Sequence, residues 1–135
     1  MLRTILLSMT LTGASLPAMA QDRIRITSGN DSIIATLHDN AAAQALRAML
    51  PLELSMRDHL RQEKTGTLPQ DLPSAPRQRD FALGTLGLWS TGDFVIYYRA
   101  GRVPSPGIVV LGEVPGDVLI FDHPDPVTIS IEAVD

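Results

Sequence analysis

The sequence predicts a mainly β fold, a barrel or sandwich of about eight short strands with one short helix. Period-two alternation of polar and apolar residues opens and closes the domain, at Arg23–Thr27 and Val127–Glu132. Turn clusters of Gly, Pro, Asn, Asp and Ser punctuate the chain at close spacing. Only one stretch carries apolar residues at helical spacing.

Taken in order, Arg23–Thr27 and Ile33–Leu37 flank the turn cluster Ser28–Ser32 and read as a β-hairpin. Asp39 or Asn40 is suited to cap a helix, because a short side-chain oxygen there accepts an orphan N–H of the first turn. Ala41–Leu50 follows, with Ala42, Ala45, Leu46, Met49 and Leu50 on one stripe, and Pro51 ends it after about three turns. Leu52–Arg57 alternates again as a strand. Residues 58–80 are polar, carry Pro69, Pro73 and Pro76, and show no period, which predicts a long loop at a rim or lid. From Phe81 onward the chain is strand-rich: Phe81–Leu88, Phe94–Tyr98, Ile108–Leu111, Val118–Phe121 and Val127–Glu132. Turns at residues 90–93, 104–107, 115–117 and 122–125 separate them.

The first residues differ from the rest. Arg3 precedes an uncharged apolar run over Ile5–Leu16, and Ala18 and Ala20 hold the small positions of an A-x-A site. That order is a secretory signal, with cleavage expected after Ala20. The apolar run is about a dozen residues, too short for the ~20 that cross a bilayer. Residues 21–135 then form one domain, large enough to bury a core without staples. The chain has no cysteine, which excludes a lipid anchor on a thiol, disulfides, thiolate zinc sites and cysteine nucleophiles. No membrane anchor is expected after cleavage, and the location is periplasmic or secreted. The whole chain carries a net charge of −4, and loss of Arg3 makes the mature domain more acidic still. With scattered basic residues, nucleic acid is not an expected partner.

An ordered set of short motifs runs through these elements. Asp39-Asn40-Ala41-Ala42-Ala43, Leu50-Pro51-Leu52-Glu53-Leu54, Glu63-Lys64 and Leu68-Pro69 are followed by Gly87-Leu88-Trp89, Gly92–Tyr97 and Leu111–Val114. In this order and spacing they resemble the small bacterial cyclophilin-like domain family, over most of the chain from Ile24 to Glu132. Ala41 stands where that family usually has proline, Arg79-Asp80 replaces its Gly-Asp, and its Pro-Trp-Gly-Asn motif is altered around Trp89. The resemblance implies a closed β-barrel with a helix covering one end. It implies no catalytic residues. The F-H-R-x-I and Q-G-G-D segments of prolyl-isomerase cyclophilins do not occur, and the small family itself has no assigned activity.

The residues agree with that silence. His38, His59 and His123 lie in separate segments and lack metal-ligand spacing, so surface or turn roles are expected and no metal or cofactor is implied. No G-x-S-x-G elbow or phosphate loop is present. Glu63 and Lys64, the sole lysine, are expected in the long loop, either at a pocket rim or in an ion pair, for instance of Glu63 with Arg57 or Arg61. Trp89, Tyr97, Tyr98 and Arg99 form an aromatic–cationic group. Tyr97 and Tyr98 must point to opposite faces of a strand, which predicts one in the core and one wet, with Trp89 across a hairpin.

Arg57, Glu63, Lys64, Trp89, Tyr97, Tyr98 and Arg99 are therefore the candidate ligand-binding residues. The expected function is an exported binding or accessory module for a small molecule or peptide. The alternative is a divergent peptidyl-prolyl isomerase, in which Arg57 or Arg99 weakens amide resonance.

Overall fold

In the computed structural model, which describes Gly13 and residues 22–134, apolar alternation along eight strands wraps a single core. The leader expected over residues 1–20 lies, Gly13 apart, outside the described residues. The elements are β1 (Arg23–Ser28), β2 (Asp31–Leu37), α1 (Ala41–Ala48), β3 (Leu52–His59), β4 (Glu63–Thr67), β5 (Arg77–Gln78), β6 (Asp80–Phe81), β7 (Thr85–Trp89), β8 (Asp93–Tyr97), β9 (Gly101–Arg102), β10 (Ile108–Glu113), a 3-10 turn (Val118–Phe121) and β11 (Val127–Val134).

Antiparallel pairing runs β2-β1-β11-β3-β4-β8-β7-β10, and β10 returns to β2 to close the barrel. Closure is brief, joining Gly112 to Leu37 and Glu113 to Thr36. Glycine makes it possible: a Cβ at Gly112 would stand 2.3 Å from the Thr36 carbonyl oxygen. Ile24, Ile26, Leu54, Met56, Leu86, Leu88, Phe94, Ile96, Ile129 and Ile131 line the interior. No helix among the described residues is long and apolar enough to cross a membrane.

The helix is shorter than the expected three turns, eight residues ending at Ala48. Asn40 rather than Asp39 caps it. Its Oδ1 accepts from Ala43 N at 2.9 Å, while its Nδ2 donates to Val110 O at 3.0 Å and ties the helix start to β10. Ala42, Ala43 and Leu46 are buried against the barrel.

Three further expected elements differ. The strand expected over Phe81–Leu88 is broken, Phe81 ending β6, which pairs with β9, and Thr85 beginning β7 of the barrel. Val118–Phe121 is a 3-10 turn and not a strand. Asp117 accepts from Leu119 N, and the buried pair Val118 and Phe121 sits at the three-residue spacing of that helix. The expected loop over residues 58–80 contains the rest of β3 and all of β4. β5 also falls within it, and its longest irregular stretch is residues 68–76. Alternation was invisible there because the inward residues of β4 are Lys64 and Gly66, opposite Ile96 and Phe94.

Lys64 points into the barrel and is fully buried, 0% exposed. Its ammonium donates to Asp58 Oδ1 at 3.0 Å, to Asp125 O at 2.8 Å and to His123 O. Asp58 also accepts from the Tyr98 hydroxyl, and Arg61 donates to that hydroxyl and to Asp122, each at 3.0 Å. Helix α1 thus leads into the start of β3, and this polar plug seals the end where β3 stops.

Lys64→Met should destabilise the protein by about 3–5 kcal/mol, since the part-buried Asp58 loses its nearest cation and keeps only Arg61, at 3.6 Å. Asp58→Asn added to it should recover part of the loss. Urea unfolding midpoints read both; a loss under about 1 kcal/mol for the single change would show the plug to be dispensable.

Candidate functional site

Because side chains alternate along a strand, the hairpin that sends Asp58 and Lys64 inward sends Arg57, His59, Glu63 and Thr65 outward. Strand pairing arranges the outer face in rows. One row is His59, Glu63 and Tyr97; the next is Arg57, Thr65, Val95 and Gly87; the third is Thr67, Asp93 and Trp89.

The β10 side of this face is sealed. Tyr97 leans over Gly87, where a Cβ would meet the ring at 3.2 Å. Phe81 stacks on Tyr97 with ring centroids 3.8 Å apart, and Val103 and Ile108 complete a second apolar cluster. The β3–β4 side stays open as a cleft of about 500 Å³. Thr65 and Val95 belong to its floor rows, Trp89 and the segment Arg102–Pro104 line it on one side, and Arg57, His59 and Leu60 on the other. Beyond Trp89 lies a smaller depression of about 370 Å³ bordered by Arg77 and Pro106.

Electrostatically, the cleft holds one buried acid. Glu63 is 6% exposed, and its Oε1 lies 2.5 Å from His59 Nδ1. A buried carboxylate needs such a partner to offset its desolvation. Burial first, and then the neighbouring Glu63 carboxylate, push the Tyr97 phenol far up. Asp93 accepts from the Thr67 hydroxyl at 3.2 Å. Arg102 lies 3.8 Å from Asp80. Arg57 has no carboxylate within ion-pairing distance among the described residues.

The cleft rim is backbone-strained. Leu60 and Arg61 turn the β3–β4 hairpin at φ 55° and 52°, a left-handed pair for which glycine and asparagine are the favoured residues. Leu60 is 75% exposed, so no burial rewards it. Arg61, held by Tyr98 and Asp122, fixes the turn.

Six of the seven residues singled out from sequence fall into two places, and Tyr97 lies apart from both. Arg57, Glu63 and Trp89 line the cleft. Lys64, Tyr98 and Arg99 belong to the plug, where Arg99 reaches Asp122 at 3.3 Å. Tyr97 lies beneath Phe81 between the two. The expectation of one wet tyrosine is corrected: both are 1% exposed, on opposite faces, because a second layer covers the outer one. Glu63 pairs with His59 and not with Arg57 or Arg61, since His59 is its register partner on the same face. Glu63 and Lys64 sit on a strand and not in a loop. His59, Thr65 and Arg102 were missed as cleft residues; a His and a Glu flanking a tight turn was the readable signal. Among the described residues no group of three or more metal-ligating side chains is present.

A sequence model of the Cyclophilin-like family matches residues 26–132. No protein of curated function matches the chain. Among solved structures, a hypothetical protein from Archaeoglobus fulgidus, determined in solution, is similar at a TM-score of 0.65 and 13% identity. The likeness covers 84% of this chain and 95% of that one and establishes the shared fold.

Relieving the turn should stabilise the protein: Leu60→Asn should add about 1 kcal/mol, read as a higher midpoint in thermal or urea melts. The plug should set the pH limits. Burial raises the Tyr98 phenol, and the bond and charge of Asp58 raise it further, to about 12. The stability this supplies is present below the unfolded value, about 10, and is lost as pH rises from there towards 12. Burial pushes Asp58 up, but its bonds from Tyr98 and Lys64 outweigh that and hold it below 3.8. Its stabilisation is therefore present above that value and lost as pH falls below it. Tyr98→Phe should flatten the alkaline loss, leaving the share of Tyr97, in stability measured against pH.

Proposed function

The chain belongs to the Cyclophilin-like family, and from that premise we propose that it is an exported binding or accessory module taking a small molecule or peptide segment in its outer cleft. The observation that carries this reading is the half-open outer face. The outer face of an antiparallel barrel is ordinarily solvated, yet here Glu63, Thr65, Val95 and Tyr97 are buried on it, and a cleft is left above them. Trp89, 36% exposed, and Arg57, which has no carboxylate within ion-pairing distance among the described residues, both line it. A volume of about 500 Å³, mostly apolar walls and a few convergent polar groups is the usual composition of a small-ligand site. Export rests on the signal-like pattern of residues 1–20.

A thermal-shift screen of the purified protein against sugars, amino acids, organic acids and proline-containing peptides tests the reading. A ligand at ~100 times its dissociation constant adds about 2.7 kcal/mol, a shift of several degrees for a domain this size. Trp89→Ala should abolish the response while lowering the unliganded midpoint little. A response that survives Trp89→Ala would place binding elsewhere, and no response to any member of the panel would remove the support for a ligand cleft.

A further inference from the structure

The cleft presents two polar groups in a fixed relation. Arg57 and His59 are alternate residues of β3 on one face, so their Cα atoms are roughly 6.5–7 Å apart. Glu63 occupies Nδ1 of His59, which leaves Nε2 as the ring's one free nitrogen on a side chain that lines the cleft. Glu63 is itself set by burial beside Tyr97, so the imidazole is oriented by a part of the protein that does not move with solvent. Arg57 contrasts with this. It lines the same cleft as a cation whose planar fork has no acid within ion-pairing distance among the described residues.

The acids nearby do not answer that charge. Glu63 is engaged by His59, and Asp93, which also lines the cleft, accepts from Thr67 beside Trp89 and reaches no arginine within ion-pairing distance among the described residues. Across the cleft from Arg57, Trp89 and Val103 offer aromatic and aliphatic surface, with Val95 in the floor between.

Resting on the reading of this cleft as a ligand site, we propose that its ligand is a small aromatic carboxylate. The carboxylate takes the Arg57 guanidinium in a two-pronged, charge-assisted contact. The ring lies against Trp89 in an offset or edge-on arrangement. His59 Nε2, held in place through Glu63, meets a polar substituent on the ring. Arg57 and His59 are the binding residues in this scheme, and Glu63 is the positioning residue that acts through His59.

Trp89 is the sole tryptophan, so its fluorescence reports on the cleft directly. The full-length protein should be titrated with benzoate and phenylacetate, and in parallel with benzamide and phenylacetamide, their neutral counterparts of similar shape. The carboxylates are expected to shift Trp89 emission saturably, with the amides about tenfold weaker or more. Arg57→Ala should erase that preference, and Arg57→Lys should restore part of it. Arg57 is exposed and outside the core, so unchanged melting of the variant confirms that folding is not the cause. Amides binding as tightly as carboxylates would overturn the charge recognition while leaving the cleft a ligand site. Saturable binding by neither set would overturn the aromatic-acid class, and the broader thermal-shift panel then decides separately whether the cleft binds anything.

Discussion

The buried lysine at the end of the barrel sets the rest. A fully buried ammonium is tolerable only when its donors are all engaged, and Lys64 achieves this with one carboxylate and two backbone carbonyls. Those partners come from β3 and from the turn before β11, and Tyr98 at the end of β8 shares Asp58 with them. One side chain therefore ties together pieces of chain that strand pairing alone joins less directly. It also pins register. Slipping β4 by one residue would turn Lys64 out to solvent and Glu63 into the core. The cleft residues Glu63 and Thr65 are outward because Lys64 is inward.

The legibility of the fold follows the same division. Where inward residues are apolar, as in Ile24 and Ile26 or Ile129 and Ile131, the period-two pattern reads directly as strand. Where they are Lys64 and Gly66, the pattern vanishes and β4 reads as loop. Glycine leaves room for Met56, whose Cγ would lie 3.0 Å from a Cβ at Gly66, and lysine replaces an apolar contact with a polar one. Neither substitution has a local signature, because both are answers to tertiary neighbours. The candidate site suffers similarly. Arg57, Glu63 and Trp89 were visible by residue type, but their convergence is a product of cross-strand register. That Tyr97 is covered depends on Phe81 and Val103, which arrive from two separate segments.

Family membership and the likeness to the archaeal protein fix the architecture and leave the chemistry to the site. The inner and outer faces of the β3–β4 hairpin make that separation concrete. Asp58, Lys64 and Tyr98 are saturated with partners and have no capacity left for a ligand. Arg57 and His59, on the same strand, each keep an open valence towards solvent. A charged residue in this molecule is thus structural or available according to which side of the sheet it occupies, and parity along β3 separates the two roles.

Natural sequences agree with their folds at most levels and depart from them where something other than stability is served. Here several of the departures lie together. Leu60 in a left-handed turn, Glu63 buried against a histidine, a partly exposed Trp89 and Arg57 with no ion-pair partner among the described residues all border one cleft. Each has a simple stabilising alternative: asparagine in the turn, an apolar residue in place of the buried acid, a covering side chain, a neutral rim. Strain of this kind persists where the surrounding structure over-determines it, and Arg61, anchored to Tyr98 and Asp122, provides that constraint for the turn. The plug does more than close the barrel, because through Arg61 it holds the cleft's rim in a conformation the local sequence does not favour.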